Sequence, residues 1–183
     1  DIVKKGPDII LFSGDKMLGG PQSGIILASR KIIDIIQSNS IYRTVRCDKI
    51  TIAMLDQIIS SYRKNGFSNL NLSLSLLARP REDLKKIAES IFNEIPSKKI
   101  NMFGLSIEES FVEAGSGSLP EKNIESIALK FNSSILSANK LSLLFKKSKF
   151  PIIGYINKGF FFIDLKAVLP SQESKIIKAI NNI

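Results

Sequence analysis

The sequence contains no histidine, and Cys47 is its only cysteine among 183 residues. Without histidine, the chain by itself cannot supply a Ser-His-Asp triad, a Cys-His dyad or a histidine-based zinc site. A single cysteine forms no internal disulfide, which indicates a reducing compartment such as the cytoplasm. We interpret Cys47 as a small buried hydrophobe and not as a nucleophile, because most isolated cysteines have that role.

Long apolar runs are also absent from the sequence. A helix needs roughly 18 or more apolar residues to cross a membrane, and no segment approaches this. The chain does not open with a charged segment followed by an apolar core and a small-residue cleavage site. The sequence therefore predicts neither a membrane span nor a secretion signal.

The sequence has an excess of positive charge that is spread thinly along the chain. The chain has 26 lysine and arginine residues against 17 aspartate and glutamate residues, a formal charge of +9. Such an excess attracts polyanions and makes nucleic acid a natural partner. The lysines occur in scattered pairs without interleaved aromatic residues, so composition alone supports RNA binding only weakly.

The most informative segment is a glycine-rich turn between two short apolar runs. The runs at residues 8–12 and 24–28 are bounded by turn residues, which predicts two fully buried strands. The intervening residues 13–23 contain Lys16. We therefore expect the Lys16 amine to be held at the mouth of a sheet, where chemistry can take place.

Three interpretations of Lys16 follow from these residues. A solvated lysine on a surface turn is the commonest situation for this residue type. A Walker-type phosphate loop is excluded, because Met17 stands where that pattern requires serine or threonine. A Schiff-base lysine for pyridoxal phosphate needs a nearby phosphate contact, which the Ser13 hydroxyl can supply. Gly19 and Gly20 supply backbone that can take positive φ and let a ligand come close.

Arg43 and Arg46 form a second candidate site. Two arginines three residues apart face the same way in a helix or turn, and their guanidinium groups match phosphate or a similar tetrahedral anion. The alternative is a pair of salt bridges between domains. The spacing is compatible with both interpretations.

Three segments together carry a family resemblance. Residues 12–26, 42–49 and 115–120 resemble the bacterial selenocysteine synthases, the L-seryl-tRNA(Sec) selenium transferases of the aspartate aminotransferase superfamily. The first segment is the most specific, because the wider superfamily shares only its Ser-x-x-Lys core. The third departs from the family pattern at Ser116, where glycine is usual, and a flexible connection is the favoured interpretation of that loop.

The resemblance implies a role for each candidate residue. Lys16 would be the catalytic lysine that binds pyridoxal 5'-phosphate, with Asp15 as a second catalytic residue. Ser13, Gly19 and Gly20 would contact the cofactor. The arginine pair would bind selenophosphate, the anion that donates selenium.

The resemblance further implies the pyridoxal-phosphate-dependent conversion of seryl-tRNA(Sec) to selenocysteinyl-tRNA(Sec). The cofactor would pass from Lys16 to the seryl amine, water would be eliminated, and selenium from selenophosphate would add. The implied partners are tRNA(Sec) charged with serine, selenophosphate and further copies of the chain in a ring of dimers, in the cytoplasm and without a membrane or a metal.

Two alternatives remain open. The first is a related pyridoxal-phosphate lyase or transferase that acts on a small amino acid or a sugar acid. The second is a non-catalytic homologue that serves in assembly or RNA binding. The first alternative shares Lys16 and Ser13 with the selenium transferase and has no use for tRNA.

The expected fold class is α/β, the end of an aspartate-aminotransferase-like large domain followed by a small α+β domain with a mostly antiparallel sheet. Residues 1–65 would be the C-terminal part of the cofactor-binding domain with a long linking helix, and residues 66–183 the small domain. Family members carry a longer chain ahead of the lysine. The resemblance therefore implies a C-terminal portion of a longer protein, inactive by itself.

Apolar spacing predicts the elements around these sites. Asp48 is expected to cap the long helix, which should end near Gly66. The buried stripe of this helix is expected to contain Ile52, Leu55, Ile58 and Ile59. The other predicted elements are helices at 30–38, 80–95 and 136–147, strands at 99–111 and 125–131, a hairpin within 151–164 and a helix after Pro170.

Overall fold

The computed structural model describes residues 3–64, 71–114 and 124–183. The chain forms two compact units, Asp1–Ser75 and Leu76–Ile183. The loop at residues 115–120, which contributes to the resemblance, lies outside the described residues. Within the described ranges, none of the helices has the length and apolar character needed to cross a bilayer.

The first unit contains a pair of short strands. β1 (Ile9–Ser13) and β2 (Gly24–Ala28) pair antiparallel, at the positions predicted. The prediction that they are fully buried is wrong, since Leu11 is 71% exposed and Leu27 is 47% exposed. Two strands form a narrow sheet, and the described part of this unit supplies too few side chains to cover both of its faces.

Helices of the first unit begin and end at capping residues. α1 (Arg30–Ser38) ends at Asn39, whose side chain then caps α2 (Ser40–Val45) by accepting from the Ile41 N–H at 2.9 Å. α3 (Lys49–Arg63) begins after Asp48. The Asp48 carboxylate accepts from the Ile50 and Thr51 N–H groups at 2.8 and 2.9 Å. The pKa of Asp48 is lowered mainly by hydrogen bonds that its carboxylate accepts from the Thr51 backbone and side chain. The predicted capping role of Asp48 is confirmed.

The predicted buried stripe of α3 is wrong in part. Leu55 and Ile58 are half-buried, but Ile52 is 57% exposed and Ile59 is 45% exposed. The spacing of these side chains is helical, as predicted. Their exposure arises because burial depends on what packs against a helix face, which the periodicity of that helix does not specify.

The second unit is a helical layer on a four-stranded sheet. α4 (Leu72–Leu77) begins in the first unit and ends in the second. The other elements of this unit are α5 (Arg81–Asn93), α6 (Ser97–Phe103), β3 (Leu105–Val112), β4 (Ile124–Phe131), α7 (Ala138–Lys147), β5 (Tyr155–Asn157), β6 (Phe160–Asp164) and α8 (Glu173–Asn182). The sheet is antiparallel with the strand order β3-β4-β6-β5.

The predicted strand at 99–111 is wrong in its first part, where the chain forms α6. Pro96 precedes this helix, and proline is well tolerated where a helix begins. Gly104 ends it with a left-handed backbone, φ +52°. A Cβ at Gly104 would meet the Asn132 backbone, so both conformation and space require glycine. The strand therefore begins only at Leu105.

A fully buried aromatic cluster lies between the sheet and the helices. Phe131 on β4 has its ring centroid 6.0 Å from Phe103, 5.2 Å from Phe145 and 5.5 Å from Phe161. Leu84 on α5 is also fully buried in this core, as the helical spacing predicts. The antiparallel sheet of this unit is as expected.

A polar network lies at the end of β6. The Asp164 carboxylate accepts from the Ser110 and Ser126 hydroxyls, each at 2.7 Å. The buried Lys166 ammonium donates to the carbonyls of Arg79 and Glu125 at 2.8 and 2.9 Å. Burial is the largest cause that lowers the pKa of Lys166, and the nearby Asp164 charge opposes it. We interpret this network as structural, because its donors and acceptors satisfy one another.

Candidate active site on the lysine loop

The segment between β1 and β2, residues 14–23, forms a closed loop that we call the lysine loop. The Gly14 N–H donates to the Ser23 carbonyl at 2.8 Å, which extends the ladder of the two strands by one step. The Gly20 N–H then donates to the Gly14 carbonyl at 2.7 Å. These bonds close the base of the loop and fix the backbone from which Lys16 projects.

The loop glycines are required by the chain's own packing. Gly19 has φ +75°, and its N–H donates to the Lys16 carbonyl at 2.9 Å. A Cβ at Gly19 would meet the Asn71 side chain, and one at Gly20 would lie 3.0 Å from Leu55 Cδ2. Of the two, only Gly19 takes a positive φ. Both N–H groups are already donated within the loop, so the two glycines shape it and leave no free backbone donor of their own.

The loop presents its polar side chains to solvent. Lys16 and Asp15 are exposed, and Ser13 at the end of β1 is half-buried. Hydrogen bonds fix the backbone around Lys16, whereas the expectation was that the amine itself is held, and the Lys16 side chain is exposed in this chain. An exposed amine is accessible to an aldehyde, and enclosing it would require further protein.

Arg43 and Arg46 lie at the end of α2. Arg43 is in the last turn, and Arg46 is the C-cap, whose N–H donates to the Tyr42 carbonyl. Both side chains are exposed. Within the part of the chain that the structure describes, neither guanidinium pairs with a carboxylate. The salt-bridge alternative therefore has no support in these residues, and both cations are available to an anion.

A concave surface brings some of the candidates together. It lies within the first unit and contains Ser13, Arg43 and Arg46. Of the candidate residues described in that unit, Lys16 and Asp15 are not among those that line it. The structure thus groups one hydroxyl with two guanidinium groups, and the lysine follows this hydroxyl on the adjoining loop.

Two residues that contact the lysine loop were not found from the sequence. Tyr62 on α3 donates from its hydroxyl to the Leu18 carbonyl at 3.0 Å, and the Asn71 amide donates to the same oxygen at 3.0 Å. They lie more than forty positions from the loop along the chain. No local pattern signals such contacts, because a polar residue at a helix end has many ordinary roles.

Metal chemistry has no support among these residues. In residues 3–64, 71–114 and 124–183, no group of three or more His, Cys, Asp and Glu side chains is placed to hold a metal ion. The candidate residues of the described site carry an amine, two guanidinium groups, a hydroxyl and the Asp15 carboxylate.

Comparison with solved structures defines the fold. The structure of D-glucosaminate-6-phosphate ammonia-lyase matches with a TM-score of 0.63 at 18% sequence identity, over 98% of this chain and 44% of that chain. The chain is a mixed α/β protein with antiparallel sheets, and it shares its fold with part of that lyase.

Comparison of sequences defines the family. The model of the L-seryl-tRNA selenium transferase family matches residues 1–169. L-seryl-tRNA(Sec) selenium transferase from Alkaliphilus oremlandii is 31% identical over 99% of this chain and 39% of its own length. The enzyme of the same name from Mannheimia succiniciproducens is 38% identical over 90% of this chain and 36% of its own length. The chain belongs to the L-seryl-tRNA selenium transferase family, as its resemblance implied, and spans less than two-fifths of these relatives.

Proposed function

We propose that the chain is the C-terminal portion of a pyridoxal-phosphate-dependent L-seryl-tRNA(Sec) selenium transferase, which converts seryl-tRNA(Sec) to selenocysteinyl-tRNA(Sec) with selenophosphate. The observation that carries the proposal is the family match over residues 1–169. In this proposal the first unit is the end of an aspartate-aminotransferase-like cofactor domain, and the second unit is the small domain.

The donor set of the first unit fits the proposed cofactor. Pyridoxal phosphate needs an amine for its aldehyde and hydrogen-bond donors for its phosphate. Lys16 supplies an exposed amine on a fixed backbone, and Ser13 supplies a hydroxyl three residues earlier. When bound, the cofactor supplies an electron sink for the charge that develops at the seryl α-carbon.

The chain's own residues have distinct roles in this proposal. Lys16 would hold the cofactor through Nζ and could afterwards carry a proton at the same atom. Ser13 would donate its hydroxyl hydrogen to the phosphate of the cofactor. Asp15, next to the lysine, supplies a carboxylate that can accept a hydrogen bond or a proton. Gly19 and Gly20 act by giving the loop its shape.

The arginine pair is the proposed site for selenophosphate. Guanidinium groups bind tetrahedral oxyanions through charge-assisted hydrogen bonds, often two at a time. Arg43 and Arg46 share a concave surface with Ser13 and have no carboxylate partner within the described residues. This leaves their charge available for the substrate.

The proposed partners are seryl-tRNA(Sec) and further copies of the longer protein in a ring of dimers, in the cytoplasm. The formal charge of +9 supports an encounter with tRNA. The first unit also exposes large apolar side chains, among them Ile50 at 74% and Val45 at 69%. Apolar surface of this kind usually marks a protein contact, which supports further protein packing on this unit.

Mapping the cofactor attachment tests the proposal. The longer protein is incubated with pyridoxal phosphate, reduced with sodium borohydride and digested, and the peptides are analysed by mass spectrometry. We expect the pyridoxyl group on Lys16, because its amine is exposed and its backbone is fixed by the loop. Attachment at another lysine, or none at all, would overturn the assignment.

Substituting the arginines tests the anion site. Arg43→Gln and Arg46→Gln should each raise the KM for selenophosphate, with little change in cofactor attachment. A charge-assisted hydrogen bond contributes about 1.5–3 kcal/mol, which corresponds to roughly a ten- to hundredfold increase in KM. Steady-state kinetics with varied selenophosphate measure the effect.

The control for this experiment is Arg63→Gln. Arg63 is an exposed arginine in the last turn of α3 and is not among the residues of the concave surface. Arg63→Gln removes one positive charge from the same unit, as the two test variants do, and should leave the KM for selenophosphate unchanged. An equal rise in KM for all three variants would show a general charge effect and contradict a specific site.

A further inference from the structure

Two side chains that lie outside the lysine loop donate hydrogen bonds to the same carbonyl of the loop. The Leu18 carbonyl oxygen, two residues after Lys16, accepts from the Tyr62 hydroxyl and the Asn71 amide, both at 3.0 Å. The Tyr62 hydroxyl also lies 3.3 Å from the Met17 carbonyl oxygen. We propose that Tyr62 and Asn71 are positioning residues that set where the Lys16 amine stands, an inference that rests on the proposed function.

Asn71 is fixed at both ends of its amide. While Nδ2 donates to the Leu18 carbonyl, Oδ1 accepts from the Leu74 N–H at 3.1 Å, in the first turn of α4. Asn71 is 8% exposed. An amide that is buried and used on both sides has one orientation, so the start of α4 and the lysine loop are held to each other through this side chain.

Gly19 makes the close approach of Asn71 possible. A Cβ on Gly19 would overlap the Asn71 amide, and the positive φ of Gly19 turns the backbone back toward the strand. The Leu18 carbonyl faces its two donors beside this turn. Gly19, to which the resemblance gives a cofactor contact, therefore also leaves the space that Asn71 occupies.

Tyr62 remains a donor at neutral pH. Burial raises the pKa of the Tyr62 hydroxyl, and a hydrogen bond with the Asn71 side chain opposes that shift only in part. The hydroxyl therefore keeps its proton. Tyr62 lies near the end of α3, so this helix holds the loop from one side while Asn71 holds it from the start of α4.

Tyr62 and Asn71 hold the carbonyls of Met17 and Leu18, which directly follow Lys16 in the chain, and this limits where Lys16 can lie. Lys16 is bound through its own carbonyl to the Gly19 N–H, within the turn that Tyr62 and Asn71 hold. Its side chain is long and exposed, so the position of its Cα limits the region that Nζ can reach. A displacement of about 1 Å at a reacting group can lower a rate by about a hundredfold.

The test uses Tyr62→Phe and Asn71→Asp in the longer protein. Tyr62→Phe removes one hydroxyl, and Asn71→Asp keeps an acceptor for the Leu74 N–H while it loses the donor to Leu18. We expect each to accelerate deuterium uptake in residues 13–23 and to lower kcat about ten- to a hundredfold. The KM for selenophosphate should change less than about threefold, because Arg43 and Arg46 are untouched.

Ser75→Ala is the matched control. It removes the hydrogen bond from the Ser75 hydroxyl to the Leu72 carbonyl in α4, and among the described hydrogen bonds none joins this hydroxyl to the lysine loop. It should change neither exchange nor kcat. Thermal unfolding of each variant shows whether it is folded. If Asn71→Asp does not fold, Tyr62→Phe still tests the proposal, because it is the smaller perturbation.

The outcomes separate this inference from the proposed function. Faster exchange together with a lower kcat supports positioning. Faster exchange with an unchanged kcat overturns it, and so does a lower kcat with unchanged exchange, because the effect would then bypass the loop. If Lys16 carries no cofactor in the unsubstituted protein, the proposed function fails, while the exchange measurement still reports whether Tyr62 and Asn71 hold the loop.

Discussion

Lys16→Ala in the longer protein should abolish attachment of pyridoxal phosphate and lower turnover of seryl-tRNA(Sec) by about 10²–10⁴-fold, the usual contribution of a positioned proton carrier. Under the proposed function, the variant would lack both the amine that binds the aldehyde and the group that moves a proton at the seryl α-carbon. Single-turnover assays with charged tRNA measure the loss. Added methylamine should restore part of the activity, because it can replace the proton carrier but not the anchor.

The matched control is Lys31→Ala on α1. Lys31 is another exposed lysine of the first unit and makes no contact with the lysine loop among the described hydrogen bonds. Lys31→Ala removes one positive charge, as Lys16→Ala does, and the protein that carries it should retain full turnover and full cofactor attachment. Full turnover by Lys16→Ala would contradict the assignment of Lys16. An equal loss in both variants would instead indicate a general effect of charge on tRNA binding.

Phe131→Ala should produce the largest loss of stability. Its ring is 1% exposed and contacts three other phenylalanine rings, so the substitution leaves a cavity in the centre of the second unit. Truncation of a buried phenylalanine to alanine costs about 3–5 kcal/mol. That is a large part of the roughly 5–15 kcal/mol by which a domain is stable. Urea denaturation followed by circular dichroism measures the change in the free energy of unfolding.

Phe111→Ala provides the comparison for this measurement. Phe111 lies on β3 of the same sheet, but its side chain is 62% exposed. The same atoms are removed without a buried cavity, so the loss should stay below about 0.5 kcal/mol. Similar losses for both variants would show that the aromatic cluster is not the centre of the core. A changed slope of unfolding with urea would indicate altered compactness instead.

The elements that the sequence predicted well are those with strong local signals. Asp48 caps α3 because a short carboxylate reaches the free N–H groups of the first turn, and no distant contact is needed. The hairpin of β5 and β6 turns at Lys158 and Gly159, where both residues have positive φ. The assignment of Lys16 and Ser13 to a cofactor site rests on a short motif whose specificity lies in residue order, and it stays a prediction.

The errors arose where the outcome depended on distant residues. The strands β1 and β2 have the composition of buried strands, yet both are largely exposed, since burial requires partners that cover them. The segment at 99–103 was assigned to a strand, because short apolar spacing does not distinguish a strand from a short helix that ends at a glycine. The helix ends at Gly104 because the backbone of Asn132, which is distant in the chain, packs against this residue and leaves no room for a side chain.

The same distinction applies to the site. The sequence by itself determined which chemistry is present, an amine beside a hydroxyl and a pair of guanidinium groups, because residue identity fixes functional groups. Only the tertiary structure decided how these groups are held. It placed Ser13 with Arg43 and Arg46 on one surface, and it brought Tyr62 and Asn71 to the carbonyl of Leu18. Such contacts join residues far apart in the chain, so they exist only once the helices and strands have packed.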